Sequence, residues 1–209
     1  MTPRRIDLGH GAWVDHQSGW LKGHQQLMDQ LVSRVRWQQR QRSMWDRVVL
    51  EPRLTAAVPD AGDAPVLHDI GAALARRYAA SVRRITLSLY RDGRDSVAAH
   101  SDRGDAGKPG ALTVSVSLGA PRKLLLKPKA GGRSRAFHLG WGDLFVMGGT
   151  IQQTWTHGVP KCAQALPRLA CLFWLRGPRV GDGGVVSGGE SGVQGQAAVP
   201  GVGGFRQQP

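Results

Sequence analysis

The chain has 209 residues, 41% of them hydrophobic, which is enough for one packed domain with extensions. No apolar run reaches the roughly 18 residues of a membrane span, no apolar stretch follows the basic Met1-Thr2-Pro3-Arg4-Arg5 as a secretory leader requires, and two cysteines, Cys162 and Cys171, make no disulfide framework. The formal charge of +13, from 28 Lys+Arg against 15 Asp+Glu, suits a polyanionic partner such as nucleic acid, and the expectation is a reduced, cytoplasmic monomer without membrane contact.

Taken in chain order, Leu27, Leu31 and Val35 recur every four residues beside Met28 and predict a first helix. Residues 38–53 follow, rich in Arg and Gln, with Trp37, Met44 and Trp45 interleaved. After Pro59 and Pro65, an apolar stripe of Leu67, Ile70, Leu74 and Tyr78 predicts a second helix. From about residue 83 the period falls to two. Ile85, Leu87 and Leu89 alternate with Thr86, Ser88 and Tyr90, and Leu112, Val114, Val116 and Leu118 alternate with Thr113, Ser115 and Ser117. Further short strands fit 122–128, 134–139, 143–147, 155–160 and 168–176, separated by turns such as Gly131-Gly132 and Gly140-Trp141-Gly142. Many short strands between glycine turns predict a mainly β fold with flanking helices: a sandwich, barrel or jelly roll with both helices against the outside of one sheet. Residues 181–209 are about one third glycine without any period and read as a disordered tail.

The triplet His100-Ser101-Asp102 is the informative motif. In an extended strand residues i and i+2 point the same way, so His100 and Asp102 can grip one ion. His157, after an apolar strand and a Gly-Gly turn, is the candidate third ligand, while His10, His16, His24, His68 and His138 read as surface or capping residues. Two imidazoles and one carboxylate on an octahedral face leave three adjacent positions open, which suits Fe(II) with a bidentate 2-oxo acid and O2. The triplet alone is common by chance; the ordered distal His and a following Arg give it weight. On the last strand Leu169, Cys171, Phe173 and Leu175 face one way and Arg168 the other. A guanidinium inside a small barrel needs an anion, and the distal carboxylate of 2-oxoglutarate fits its planar fork. An internal salt bridge or a surface position is the alternative. Ser88 and Tyr90 share the face of a neighbouring strand and can contact the same co-substrate.

Leu89-Tyr90-Arg91-Asp92-Gly93, His100-Ser101-Asp102, Ser115-Val116-Ser117-Leu118-Gly119, the run from Gly142 to Gly149, His157 with Val159-Pro160-Lys161, and Pro167-Arg168 come in one order. That order resembles the AlkB-like 2-oxoglutarate- and Fe(II)-dependent dealkylases, over residues 35–176. The resemblance implies a double-stranded β-helix (jelly roll) and an N-terminal nucleotide-recognition lid closed by Glu51-Pro52-Arg53-Leu54-Thr55-Ala56. It implies oxidative removal of alkyl groups from DNA or RNA bases, releasing an aldehyde, succinate and CO2 from a base swung out of its stack. His100, Asp102 and His157 would carry iron, and Arg168 and Tyr90 would bind 2-oxoglutarate with Ser88. In the lid, Arg42 and Arg53 would contact phosphates, and Trp45 is either a wedge against the flipped base or a packing residue. Lys123, Lys127, Lys129, Arg133 and Arg135 with Arg122 form a second basic stretch that reads as a solvated face.

The chain departs from the family pattern at several places. Trp174 stands where a second Arg is usual, with Arg176 on the same strand face as its substitute, and Ser88 stands for Asn. Gly104, beside Arg103 and Asp105, replaces an acidic substrate contact, which leaves Asp105 as the acidic candidate; Ala56-Ala57-Val58 lacks the usual aromatic. These changes keep two alternatives open: an oxygenase acting on a protein or small molecule, and a non-catalytic nucleic-acid binder. The expected organisation is residues 1–80 as helical support and lid, 81–179 as the jelly-roll core and 180–209 as the tail.

Overall fold

Residues 2–44, 47–58 and 64–177 are described by the computed structural model of the chain. A hairpin of β1 (Arg4–Gly9) and β2 (Ala12–Gln17) leads to α1 (His24–Arg34). A separate ribbon of β3 (Gln41–Met44) and β4 (Arg47–Leu50) precedes β5 (Leu54–Val58) and α2 (Pro65–Arg77). Then come β6 (Ser81–Tyr90), β7 (Val97–His100), a 3₁₀ turn (Gly104–Gly107), β8 (Ala111–Gly119), β9 (Arg122–Pro128) and β10 (Arg135–Leu139). The chain finishes through β11 (Asp143–Gly149), the single turn α3 (Ile151–Thr154), β12 (Trp155–Val159) and β13 (Arg168–Arg176).

The strands form a seven-stranded sheet, ordered β1-β2-β11-β8-β13-β6-β5, and a four-stranded sheet, ordered β10-β9-β12-β7. The pairings in both are antiparallel. The two sheets face each other as a jelly roll, as the glycine-punctuated strands predict. Three strands from the N-terminal segment, β1, β2 and β5, are strands of the larger sheet itself. The hairpin over residues 4–17 is absent from the sequence-based expectation: its apolar positions are few and its strands are short.

Alternation decides which residues meet which layer. On the outer face of the large sheet, Ile85, Leu87 and Leu89 lie beside Val114, Val116 and Leu118 and beside Leu169, Cys171 and Phe173. Against them pack Leu27, Met28 and Leu31 of α1 and Leu67, Ile70 and Leu74 of α2. The α2 stripe is at most 1% exposed, and each such side chain contributes roughly 2 kcal/mol through burial. Pro65 starts that helix, where no amide donor is needed, and Arg76 and Arg77 stand at its negative end. The second core lies between the sheets and includes Tyr90, Leu126, Phe145, Trp155 and Ala170. A slip of one residue in any of these pairings would exchange the two sets.

Two details fix the inner chamber. Gly119 has φ +74°, and a Cβ there would come within 2.6 Å of the Pro167 carbonyl oxygen, so only glycine fits. Arg122 is 3% exposed, and its guanidinium donates to the carbonyl oxygens of Asp92 at 2.8 Å, Asp95 at 2.9 Å and Pro160 at 3.0 Å. This corrects its reading as part of a solvated basic face: it staples β9 to the loops after β6 and β12. Both cysteines are free thiols, as expected.

Candidate metal centre

His100 closes β7 and pairs directly with His157 of β12, so the sheet register alone brings the two imidazoles to ring centroids 4.4 Å apart. Asp102 lies two residues beyond the strand end. Its Oδ1 is 3.6 Å from the Nε2 of His100 and 3.6 Å from the Nε2 of His157. All three donor atoms fall within 4.8 Å of one another, so the group could hold one metal ion.

Each donor is oriented by a second contact. The Nδ1–H of His100 donates to the Ala98 carbonyl at 2.9 Å, which leaves the Nε2 lone pair turned toward the centre. The Oδ2 of Asp102 accepts from the Thr113 hydroxyl at 3.0 Å and from the Gln152 amide at 2.9 Å. Oδ1 is thereby left for a metal. Ser101 points away and donates to the Trp155 carbonyl.

The electrostatics suit a cation. The Asp102 contact raises the pKa of His100 above the usual imidazole value, against burial. Burial disfavours ionised Asp102, yet the two imidazoles and the Thr113 hydroxyl outweigh it and hold the carboxyl below its usual range. Burial lowers the pKa of His157, so its ring is held neutral, the form that ligates. The His100 side chain is 41% exposed and that of Asp102 only 7%; the centre therefore opens to solvent on the His100 side.

From this cluster a polar strip runs across the otherwise apolar inner face. Thr113, Ser115 and Ser117 of β8 lie opposite Trp174, Leu172 and Ala170 of β13, and Gly119 lies opposite Arg168. Arg168 is 2% exposed. One of its amino groups donates to the Ser117 hydroxyl at 2.7 Å, and its guanidinium carbon stands 5.5 Å from the centre of the Tyr90 ring. No carboxylate lies within ion-pair distance among the described residues, and Nε has no partner. The Ser115 hydroxyl is likewise buried and unpartnered. A buried unpaired guanidinium is costly; with an orphaned hydroxyl on the same face it marks a receptor for a small anion.

The structure brings together His100, Asp102 and His157 in one cluster, and Arg168, Tyr90 and the buried Ser88 on one face. Arg176 ends β13 opposite Ala111 and lines a cleft together with Arg103 and Trp174. Arg53 sits beside Glu51 at 3.3 Å, close enough to His100 for its charge to oppose protonation there. Trp45 lies outside the described residues, as do the side chains of Arg42 and Asp105 and the tail 180–209. Sequence reasoning missed Thr113, Ser117 and Gln152. The two hydroxyls were visible only as the polar half of an alternation, and Gln152 carries no local signal.

Residues 33–180 match the 2OG-Fe(II) oxygenase superfamily. The chain belongs to that family. Its members require Fe(II), 2-oxoglutarate and O2; the donor set of this chain fits the metal, and its orphaned anion receptor fits the co-substrate. The chain is 27% identical to the DNA oxidative demethylase ALKBH2 of Arabidopsis thaliana, over 78% of this chain and 65% of the relative. It is also 27% identical to alpha-ketoglutarate-dependent dioxygenase alkB homolog 3 of Mus musculus, over 77% of this chain and 59% of the relative. The chain thus spans about three fifths of the length of those curated relatives. Among solved structures, a prolyl hydroxylase of Trichoplax adhaerens superposes with TM-score 0.59 at 12% identity, covering 78% of this chain and 83% of the other. AviO1 of Streptomyces viridochromogenes gives 0.55 at 16% identity, covering 79% and 90%. At those identities the likeness establishes the shared jelly roll. No described helix is long and apolar enough to cross a membrane.

Proposed function

We propose that the protein is an Fe(II)- and 2-oxoglutarate-dependent oxidative dealkylase of N-alkylated bases in DNA, with RNA as a second substrate to be tested. The observation that carries the reading is the buried, unpaired Arg168 on the same inner face as the His100–Asp102–His157 cluster. The nucleic-acid substrate is supported by the AlkB-type relatives and by the +13 charge.

In this reading His100, Asp102 and His157 hold the iron, and Arg168 takes the distal carboxylate of 2-oxoglutarate with Ser88 and Tyr90 beside it. Iron with 2-oxoglutarate supplies the oxidation of the N-alkyl carbon by dioxygen, giving repaired base, aldehyde, succinate and CO2. The chain's own residues prepare that step. Ser117 fixes the Arg168 fork; Thr113 and Gln152 turn Asp102 so that one oxygen faces the centre. The buried walls around Tyr90, Phe145 and Leu126 keep water from the co-substrate. Arg42, Arg53, Trp45 and Asp105 are the proposed substrate contacts, on the lid and on the turn after the metal cluster. The reading takes the enzyme to be a cytoplasmic monomer organised as support and lid over 1–80, core over 81–179 and tail over 180–209.

The test is aldehyde and succinate release with methylated DNA and RNA oligonucleotides against unmodified ones. Release stimulated by the alkylated strands is expected. Turnover of 2-oxoglutarate that no alkylated oligonucleotide stimulates would remove the repair function and leave an oxygenase of another substrate class.

A further inference from the structure

A second concave site lies beside the metal cluster, a cleft of about 590 Å³. Five cationic side chains line it, Arg83, Arg84, Arg103, Lys108 and Arg176, with Trp174 as an aromatic wall. No carboxylate is among its described lining residues. Arg83, Arg84 and Arg103 gather like charge around one hollow, and phosphates can replace the counterions such a hollow holds.

The backbone is built to put these charges there. Arg83 and Arg84 are neighbours in β6, and an unbroken pleat would send them to opposite faces. The pairing with β13 slips at this point: Trp174 is opposite Arg84, but Leu175 is opposite Val82. Arg83 is the extra residue of a β-bulge, a device that re-aims a side chain, and both arginines line the same cleft. The Arg84 guanidinium lies 4.5 Å from the centre of the Trp174 ring, and both residues remain accessible. Arg84 is thus set in place before any ligand arrives, and a flat guanidinium–indole shelf adds a surface on which a base can stack.

The cleft is coupled to the centre by position. Arg103 and Gly104 directly follow Asp102, and Gly104 has φ +68°, which turns the chain away from the cluster into the cleft wall. Trp174 is the register partner of Thr113, whose hydroxyl holds Asp102. A strand whose phosphates occupy the cleft is therefore held next to the reacting atoms.

We infer that this cleft is a phosphodiester-binding groove that anchors a single-stranded stretch of nucleic acid flanking the target base, with Arg83, Arg84 and Arg103 as its phosphate contacts. The inference rests on the proposed nucleic-acid substrate and locates where the strand runs. It is tested with the full chain by the anisotropy of a labelled, unmodified single-stranded oligonucleotide across a salt series, beside aldehyde release from an alkylated one. Each phosphate contact on a single strand contributes about 0.7 to the slope of log affinity against log salt. The variant R83A/R84A/R103A is expected to lose about 2 from that slope and to bind about tenfold more weakly or worse. The variant R83A/R103A, which leaves Arg84 on the indole, is expected to lose about 1.4. A charge-matched control, R4A/K22A/K123A, removes three exposed cations elsewhere and is expected to keep the wild-type slope. Equal losses in control and cleft variants, or wild-type binding by the cleft variants, overturn the groove while base oxidation stands. Arginine-dependent binding without oxidation of any alkylated strand keeps the groove and overturns the dealkylase. Failure of the wild type to bind the oligonucleotide overturns the groove, while the dealkylase is decided by aldehyde release alone.

Discussion

Gln152 grips Asp102 from two directions: its side-chain amide donates to Oδ2 at 2.9 Å, and its side-chain carbonyl accepts from the Asp102 backbone N–H at 2.9 Å. The backbone carbonyl of Gln152 is itself held by the Lys129 ammonium at 2.9 Å. Both ends of the carboxylate's torsion are thus fixed by one residue from another part of the chain. Gln152→Ala should weaken Fe(II) binding by about 10- to 100-fold, the usual effect of losing an outer partner of a metal ligand. Isothermal titration with Fe(II) or Mn(II) under anaerobic conditions measures it; wild-type affinity in the variant would mean that Thr113 alone orients Asp102.

Removing a ligand should act differently. His100→Ala and Asp102→Ala are expected to abolish turnover while the circular dichroism spectrum stays that of the wild type, since neither side chain belongs to either apolar core. The absorption band that Fe(II) and 2-oxoglutarate give together without oxygen should vanish in both. Turnover retained by either variant would refute the ligand assignment.

Arg168 offers a test with two opposite signs. Its charge is buried without a counter-anion, and replacing such a group by an apolar one of similar length is often neutral or stabilising. Arg168→Met should therefore melt at or above the wild-type temperature without ligand, yet lose the upward shift that 2-oxoglutarate gives the wild type. Its 2-oxoglutarate requirement should rise sharply. A ligand-induced shift of unchanged size in the variant would place the co-substrate elsewhere.

Asp143 sets an acid limb to stability. Burial alone disfavours its carboxylate, but the His16 imidazole 3.6 Å away and the Gly19 and Gly140 amides hold it below the usual carboxylate range. The unfolded chain then binds the proton more readily than the folded one, so the contribution is present above the ordinary carboxylate pKa and is lost as pH falls through the lowered value. Asp143→Asn should lower the melting temperature at neutral pH, with the gap to wild type closing in acid. A gap that stays constant down to acid pH would assign the loss to packing rather than charge.

Much of this was legible because periodicity reports which side of an element is buried. The alternations at 85–90 and 112–118 and the apolar stripes at 27–35 and 67–78 became the strands and helices they predict. The spacing of His100 and Asp102, with His157 to follow, located the cluster. Periodicity says nothing of what lies opposite. In β8 both faces are covered, so Thr113, Ser115 and Ser117, marked by alternation only as the polar half, are the floor of the chamber. Arg122 looked solvated because it stands in a basic stretch, whereas it is buried against three carbonyl oxygens. Gln152 is brought to Asp102 by the turn α3 between two strands, a long-range placement that no local pattern encodes.

The N-terminal hairpin carries a practical message for anyone trimming the gene. The family match begins at residue 33, yet β2 is bonded to β11 along six residue pairs, and Ala12 and Val14 are wholly enclosed in the inter-sheet core. A polypeptide shortened to the matched span would leave β11 as a raw sheet edge with unfilled volume behind it, an invitation to pair with its neighbours. The span shared with the family and the span that completes the larger sheet are thus different lengths of chain.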